Sequence, residues 1–484
     1  MKRIQWMTSV CLVLTLVMSL FTGISALADD EEIVLRVVDW SDSSTSQREA
    51  FHEAFEANHP GVKIEYTCLT VDQFASSVVS LISSGDAPDL FPIPTSTGMT
   101  LKQAVDDNWY VPLDDYVTDE FKSTMKDICF QEGVTEIDGK WYTIPEMYGN
   151  IHTLFFYNKD VLELAGVTEL PTTYEEFAAC CKQVTEAGNG EYYGLIEGGN
   201  QVNRLGYLLT TLAAYSGGKV AEYNQVVTDN GVCTFDCQEM LDAFAMLKQL
   251  YDDGSLHPDT LNISAPEARE LFAQGKAAFL CQGMWCIATW AETYPDLNYG
   301  VMAPPKSSED AVGAIQQPTG GAWLGIYSGS EYPELAAEYL MDLYSDTEDY
   351  HFQADCVKAG ERVSVVKNVT EEYMTNPIMM DYYNTIQATT VAVPHITTRD
   401  LKYYDFYSEV IGVTPSMASI LQGVWSGSVT DYESALHNLA DANTAEWKRA
   451  CEAVGLSFDG LEFDNWVVGT PYTAEDYEAL PQVN

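Results

Sequence analysis

Aromatic rings interleaved with planar carboxylates and amides are the residues of this 484-residue chain with chemistry to offer. Trp40 follows a β-branched run, Ile33-Val34-Leu35-Arg36-Val37-Val38, and is flanked by Asp39 and Asp42. Open α/β sheets hold ligands beyond the carboxyl ends of their strands, so Trp40 is a candidate platform and Asp42 a candidate acceptor. The alternatives are a tryptophan packed on the next helix and an aspartate that caps it. Ser96, beyond a short strand around Asp89-Leu90-Phe91, has the same positional claim. Tyr148 and Asn150 precede a strand ending in Tyr157-Asn158, and a planar amide there can read two hydroxyls at once. His152 beside them also reads as an ordinary half-buried histidine. Glu197, in Gly194-Leu195-Ile196-Glu197-Gly198-Gly199-Asn200, is a further carboxylate. Trp323 follows Gly320-Gly321 and either faces a cleft or braces a strand. Rings stack on C–H faces while amides and carboxylates take hydroxyls, which is the chemistry of holding a neutral polyhydroxyl ligand.

Bond cleavage finds less support. Glycoside hydrolysis needs two carboxylates roughly 5 to 10 Å apart, and with 72 acidic residues some pair always looks plausible. No Gly-x-Ser-x-Gly elbow, Walker loop or zinc-protease motif occurs. Cys and His do not cluster at zinc-ligand spacing, and no cofactor or metal is expected. Ten cysteines follow the first 28 residues; disulfides and free thiols both remain open, with Cys233-Cys237 and Cys281-Cys286 the pairs of interest.

The elements that must position these residues alternate between strand and helix. Val62, Ile64, Tyr66 and Cys68 form a second strand after a helix carrying Phe51 and Phe55, with Ser46 and Glu49 spaced as a capping box. Phe74, Val78, Leu81 and Ile82 share one face of a helix that stops at Gly85-Asp86-Ala87-Pro88. Helices are predicted over residues 173–186, 238–252, 265–274, 332–344 and 434–453. Strands are predicted near Leu154-Phe155-Phe156-Tyr157, Ala277 to Phe279 and Trp323 to Ile326. The pattern is α/β and doubly wound.

Charge and the amino terminus bound the setting. The formal net charge is -48, from 24 basic and 72 acidic residues, which disfavours nucleic acid and anionic membranes as partners. Met1-Lys2-Arg3, an apolar run from Val10 to Phe21 and Ser25-Ala26-Leu27-Ala28 read as an export signal cleaved after Ala28. The run is short of the roughly 20 residues a spanning helix needs. Cys11 sits at its beginning, away from where a lipid-anchored cysteine belongs.

An ordered series of segments carries a family resemblance. It comprises Phe55-Glu56-Ala57-Asn58-His59-Pro60-Gly61-Val62-Lys63-Ile64, Ser84-Gly85-Asp86-Ala87-Pro88-Asp89-Leu90, Trp109-Tyr110-Val111-Pro112-Leu113, Asp138-Gly139-Lys140-Trp141-Tyr142-Thr143-Ile144-Pro145, Phe156-Tyr157-Asn158-Lys159-Asp160, Leu170-Pro171-Thr172-Thr173-Tyr174-Glu175-Glu176-Phe177, and Leu271-Phe272-Ala273-Gln274-Gly275-Lys276-Ala277-Ala278-Phe279 with Gly283-Met284-Trp285. In that order they resemble the extracellular carbohydrate-binding proteins of ABC importers, the maltose-binding-protein-like family.

The resemblance implies a two-lobed, periplasmic-binding-protein-like clamp (type II), each lobe a doubly wound sheet flanked by helices, with hinge crossings near 149–150, 299–302 and 355–360. The implied lobes are 29–149 with 302–355 and 150–301 with 356–454, and residues 455–484 are expected to pack back on the body. It further implies a monomer, exported to the extracellular or cell-surface side, or to the periplasm in a Gram-negative cell. That monomer would deliver an oligosaccharide to membrane permease subunits without catalysing a reaction. Trp285 resembles the sugar-stacking ring of the family's Gly-x-Trp motif, with Trp290 as the alternative exposed ring. Near Asn150 the maltose binders carry a carboxylate, which points away from maltose. A secreted carbohydrate-active enzyme is the rival reading. The same clamp with a peptide, polyamine or phosphorylated ligand is another, with Arg204 or Arg399 available to a phosphate.

Overall fold

The computed structural model describes residues 32–94, 99–148, 153–220, 226–317 and 323–481. The predicted export signal lies outside them, as do Ser96, Asn150 and His152. Nine strands make the two principal sheets. They are β1 (Ile33–Asp39), β2 (Val62–Cys68), β3 (Leu90–Pro92), β4 (Thr143–Ile144), β5 (Leu154–Asn158), β6 (Tyr193–Ile196), β7 (Ala277–Gln282), β8 (Tyr299–Met302) and β9 (Leu324–Ile326). The first sheet has the order β2-β1-β3-β9-β4 and the second β8-β5-β7-β6.

In each sheet one strand opposes the others. β9 runs antiparallel to β3 and β4, and β5 antiparallel to β7 and β8. Each is the first strand of its own sheet that the chain forms after leaving the other sheet. The molecule is thus two-lobed, and the second sheet interrupts the first in sequence. β1 is covered on both sides, Leu35 and Val37 entering one core while Val38 joins another with Phe74, Val78 and Phe91. That explains its nearly continuous apolar run.

The segment after β8 stays with the second lobe further than the boundary expected at 302. Lys306 bonds through its backbone to Thr172 and Tyr174, and Gly313 donates to the Tyr215 carbonyl. The return to the first sheet comes after Ile315–Gln317, a strand paired with Thr390–Ala392. Helix Phe352–Ala359 packs on both helix Thr45–Asn58 of the first lobe and helix Trp285–Thr293 of the second. One apolar core therefore runs through both lobes, from Leu35 and Phe55 to Phe156, Phe272 and Trp290.

The amino-terminal capping box does not form. Helix Thr45–Asn58 starts one residue before Ser46, with Ser44 at its N-cap. The Ser44 hydroxyl accepts from buried Arg48 and Arg362 instead of the helix amides. The box at Thr173 and Glu176 does form, in a position where nothing competes for the threonine. The ten cysteines of the described residues are free thiols, including the two pairs of interest.

Residues beyond 455 complete a third core. Leu461, Phe463, Trp466, Tyr472 and Leu480 pack with Val393, Ile396, Tyr403, Phe406 and Trp447. Arg399 holds this tail, donating from Nη1 to the carbonyls of Asp459, Gly460 and Glu462 and from Nη2 to that of Pro481. Glu462 in turn accepts from the backbone of Asn230 and Gly231 and from the Thr228 hydroxyl. Replacing Arg399 with Ala leaves several carbonyls without their charged donor. We expect Arg399→Ala to lower the unfolding free energy by about 2 kcal/mol in urea titrations, with Arg399→Lys recovering only part.

Candidate functional site

The loop after β1 and the turn after β7 approach one another, Asp42 acting electrostatically on Cys286. Asp39 closes β1 fully buried, its Oδ1 accepting from the Ser41 amide (2.9 Å) and the Tyr66 hydroxyl (2.5 Å). Its Oδ2 lies 3.4 Å from Arg48 Nη2. The loop that follows is fixed by side chains from the segments linking the lobes. Ser41 donates to Glu146 Oε1 at 2.7 Å and Ser43 to Glu361 Oε1 at 2.9 Å. Arg362 joins those two acids, from Nη2 to Glu361 Oε1 at 2.5 Å and to Glu146 Oε1 at 3.4 Å. Burial raises the Glu146 carboxyl above the ordinary range even against Arg362. Burial also acts to raise Glu361, but the Arg362 charge and hydrogen bond override it and hold that carboxyl low.

Trp40 projects from this fixed loop, half-buried, its ring edge-on to Phe74 at 4.9 Å. Asp42 neither caps the helix nor stands free. Its Oδ2 takes Arg269 Nη2 at 2.9 Å, and Arg269 belongs to helix Ala265–Ala273 of the second lobe. Nearby, Ser46 reaches Glu292 of helix Trp285–Thr293 at 3.5 Å. The two lobes thus meet through side chains beside the loop that carries Trp40.

On the second lobe, Glu197 and Gln282 are brought together because β6 and β7 are parallel neighbours in register, Ile196 opposite Leu280. Gln282 Nε2 donates to Glu197 Oε1 (3.3 Å), as does the Gly198 amide (3.0 Å), and Arg204 Nε lies 3.8 Å from the same oxygen. Glu197 Oε2 and Arg204 Nε are buried without a hydrogen-bond partner. Burial pushes the Glu197 carboxyl up to about 7, with Arg204 opposing. Trp285 lies just past β7. Its ring covers Gly283, where a Cβ would come within 2.1 Å of Cζ3, so a residue with any side chain at 283 would displace it. Trp290 is instead core, edge-on to Phe156 and Tyr299 and donating from Nε1 to the Arg269 carbonyl. Of the two tryptophans, Trp285 is the one with accessible surface.

Trp323 is corrected. Only 1% exposed, its ring lies beside the guanidinium groups of Arg48 and Arg362 at 5.4 and 5.9 Å, and it offers no face to a ligand. Tyr148 is 43% exposed, on the segment leading out of the first lobe, with Lys126 Nζ 4.8 Å over its ring. Arg399 is committed to the tail, which removes it as a phosphate ligand. Sequence reasoning passed over Glu146, Arg269, Gln282, Glu361 and Arg362. Gln282 had a usable signal, since it directly precedes Gly283-Met284-Trp285 at a strand's carboxyl end.

The buried Glu197 gives a pH dependence. The unfolded carboxyl ionises near 4.5 and the folded one near 7, so the folded state keeps the proton longer. Its stabilising contribution is full below about pH 4.5 and is lost as pH rises through 7. The stability of the protein relative to Glu197→Gln should therefore fall between pH 5 and 8 in denaturant titrations. A flat difference would place the Glu197 titration elsewhere.

Three comparisons bear on this geometry. The family model described as bacterial extracellular solute-binding protein matches residues 41–348. A binding protein of Brucella abortus (strain 2308) is 27% identical over 299 residues, 61% of this chain and 69% of its own length. Among solved structures, an ABC substrate-binding protein of Listeria monocytogenes in complex with cycloalternan superposes with a TM-score of 0.63 at 19% identity, covering 88% of this chain and 99% of that one. The maltose/maltodextrin-binding domain of Bdellovibrio bacteriovorus bound to maltotriose gives 0.62 at 18% identity, with 86% and 100% covered.

Proposed function

We propose that this chain, which belongs to the bacterial extracellular solute-binding protein family, captures a neutral oligosaccharide between its lobes and presents it to the membrane permease of an ABC importer. The observation that carries the reading is the ion pair of Asp42, in the loop after β1, with Arg269, in the helix before β7; both charges also act on Cys286, so Trp40 and Trp285, half-buried, lie within two residues of groups at one interlobe contact. Stacking faces with hydroxyl-reading acids and amides suit a sugar's alternating C–H and O–H surfaces. Glycans occupy both solved relatives, cycloalternan in one and maltotriose in the other. No helix among the described residues is long and apolar enough to cross a membrane, and the family's description as extracellular supports a place outside the cell.

Capture works by closure. One lobe takes the ligand first, and the other adds its contacts as the crossing segments bend, so the closed form is favoured by the difference in contact energy. Micromolar binding needs about 8 kcal/mol net, within reach of two stacked rings and several hydrogen bonds. Glu197 fits a positioning and reading role better than acid catalysis, since its Oε1 is held by Gln282, the Gly198 amide and Arg204.

The test is a panel of maltotriose, raffinose, chito-oligosaccharides and xylo-oligosaccharides against the purified chain, followed by thermal shift, calorimetry and product analysis. At least one glycan should raise the melting temperature with no product formed. Trp285→Ala should weaken its binding about tenfold or more, the loss of one stacking contact, while the melting temperature without ligand stays close to that of the parent. Turnover of any glycan, or an unchanged Kd in Trp285→Ala, overturns the respective assignment.

A further inference from the structure

Away from the crossing segments, the carboxyl-terminal region touches the first lobe at Tyr404. Tyr404, in helix Tyr403–Glu409, lies against Gly133 so closely that a Cβ there would sit 1.9 Å from ring atom Cε2. Gly133 also has φ +80, so both the contact and the backbone require glycine. The seat is rigid. The Gln131 carbonyl accepts from the Thr135 and Glu136 amides, Gly133 donates to the Glu136 carbonyl at 2.6 Å, and Glu132 accepts from the amides of Asp138 and Gly139. This loop leads into β4 of the first sheet. Beside it, Asp405 of the same helix acts electrostatically on Lys102 of the first lobe, raising its ammonium pKa after the larger effect of Asp106.

The helix bearing Tyr404 is held by the tail. Tyr403 donates its hydroxyl to the Ser457 carbonyl at 2.6 Å, and its ring lies on Gly460. Arg399 ties the preceding turn to residues 459–462 and 481, and Arg449 grips Glu409 at the helix end at 2.6 Å. Tyr477 accepts the His395 amide. The tail thus fixes a ring that bears on the opposite lobe, beyond residues 41–348 where the family model matches.

We propose that the carboxyl-terminal extension is an interlobe brace: by pressing Tyr404 on Gly133 it biases the ligand-free clamp toward the closed arrangement seen here, in which Asp42 meets Arg269 and Ser46 meets Glu292 across the lobes, and so sets the apparent ligand affinity. The proposal rests on the clamp reading for its effect on affinity, though its effect on shape is independent of any ligand. A two-state clamp whose competent form is less populated binds with an apparent Kd larger by the inverse of that fraction. The brace contributes no ligand contact, so its loss weakens every ligand by the same factor.

The experiment compares the full chain with Tyr404→Ala, Tyr404→Phe and Lys102→Glu. Lys102→Glu is a surface change that turns the electrostatic attraction toward Asp405 into repulsion without touching a core. Small-angle scattering without ligand should show a larger radius of gyration for Tyr404→Ala and Lys102→Glu, and the parent value for Tyr404→Phe, which keeps the ring. Circular dichroism identifies any variant that misfolds. Calorimetry with two glycans that bind the parent should show Kd raised roughly threefold or more, by the same factor for both. Parent-like scattering from both folded Lys102→Glu and folded Tyr404→Ala overturns the brace. Unequal factors for the two glycans overturn it too, by placing Tyr404 in direct contact with ligand. If no glycan binds the parent, the ligand reading fails while the scattering still decides the brace.

Discussion

The structure depends on how the end of β1 is anchored. Asp39, Arg48, Glu361 and Arg362 are all within 1% of full burial, and they meet around the serines at 41, 43 and 44. Such groups are costly to bury, and replacing a buried ion pair by apolar side chains is often neutral or better for stability. Their value here lies in placement. Arg48 is enclosed by the rings of Tyr66, Trp323 and Phe352, all within 5.4 Å, which turns its planar group toward Asp39 and Ser44. Glu146 and Glu361 lie on two segments that pass between the lobes, and both bond the loop after β1. Bending those segments therefore moves, or is moved by, the loop that presents Trp40.

That anchor also explains what was legible in the sequence and what was not. β1, β2, the helix with Phe74 and Val78, and the capping box at Thr173 follow from local pattern, because burial and capping there involve neighbours in sequence. Ser46 and Glu49 show the same local pattern, yet the helix starts elsewhere because Ser44 serves Arg48 and Arg362. An arginine reads as a surface residue until its partners, one of them 318 positions away from Ser44, are known. Trp323 was open between cleft and brace because Gly320-Gly321 says only that the backbone there is free to turn. The two guanidinium groups beside it decide the matter. Helix Met417–Trp425, absent from the predicted elements, does carry a one-sided pattern, with Ser419 and Gln422 three apart among buried residues. The site itself was half legible. Positions beyond strand ends pointed to Trp40, Glu197 and Trp285, whereas the pairing of Asp42 with Arg269 joins residues 227 apart.

Charge usage connects the fold to the choice of ligand. The chain is rich in acid and poor in base, yet each of the seven arginines in the described residues has an internal task. Arg36 takes Asp86 and the Ala87 carbonyl, Arg204 sits by Glu197 and the Cys281 carbonyl, and Arg269 spans to Asp42. Arg48 and Arg362 fix the β1 loop, while Arg399 and Arg449 secure the tail and the helix before it. At the junction a phosphorylated or carboxylate ligand would have to draw Arg269 from Asp42 or Arg204 from Glu197, and the second leaves a fully buried acid without its cation. Competition of that kind costs more than a neutral hydroxyl, which can share a carboxylate or amide without displacing its cation. The same arithmetic accounts for the acidic surface. With 72 acidic residues against 24 basic ones, the exterior keeps an excess of carboxylates even though lysines such as Lys63 and Lys182 are exposed, and long-range attraction of anions is weak. What the junction between the lobes can still offer is ring faces and hydrogen-bonding edges, and those favour a neutral, hydroxyl-rich ligand by elimination as well as by fit.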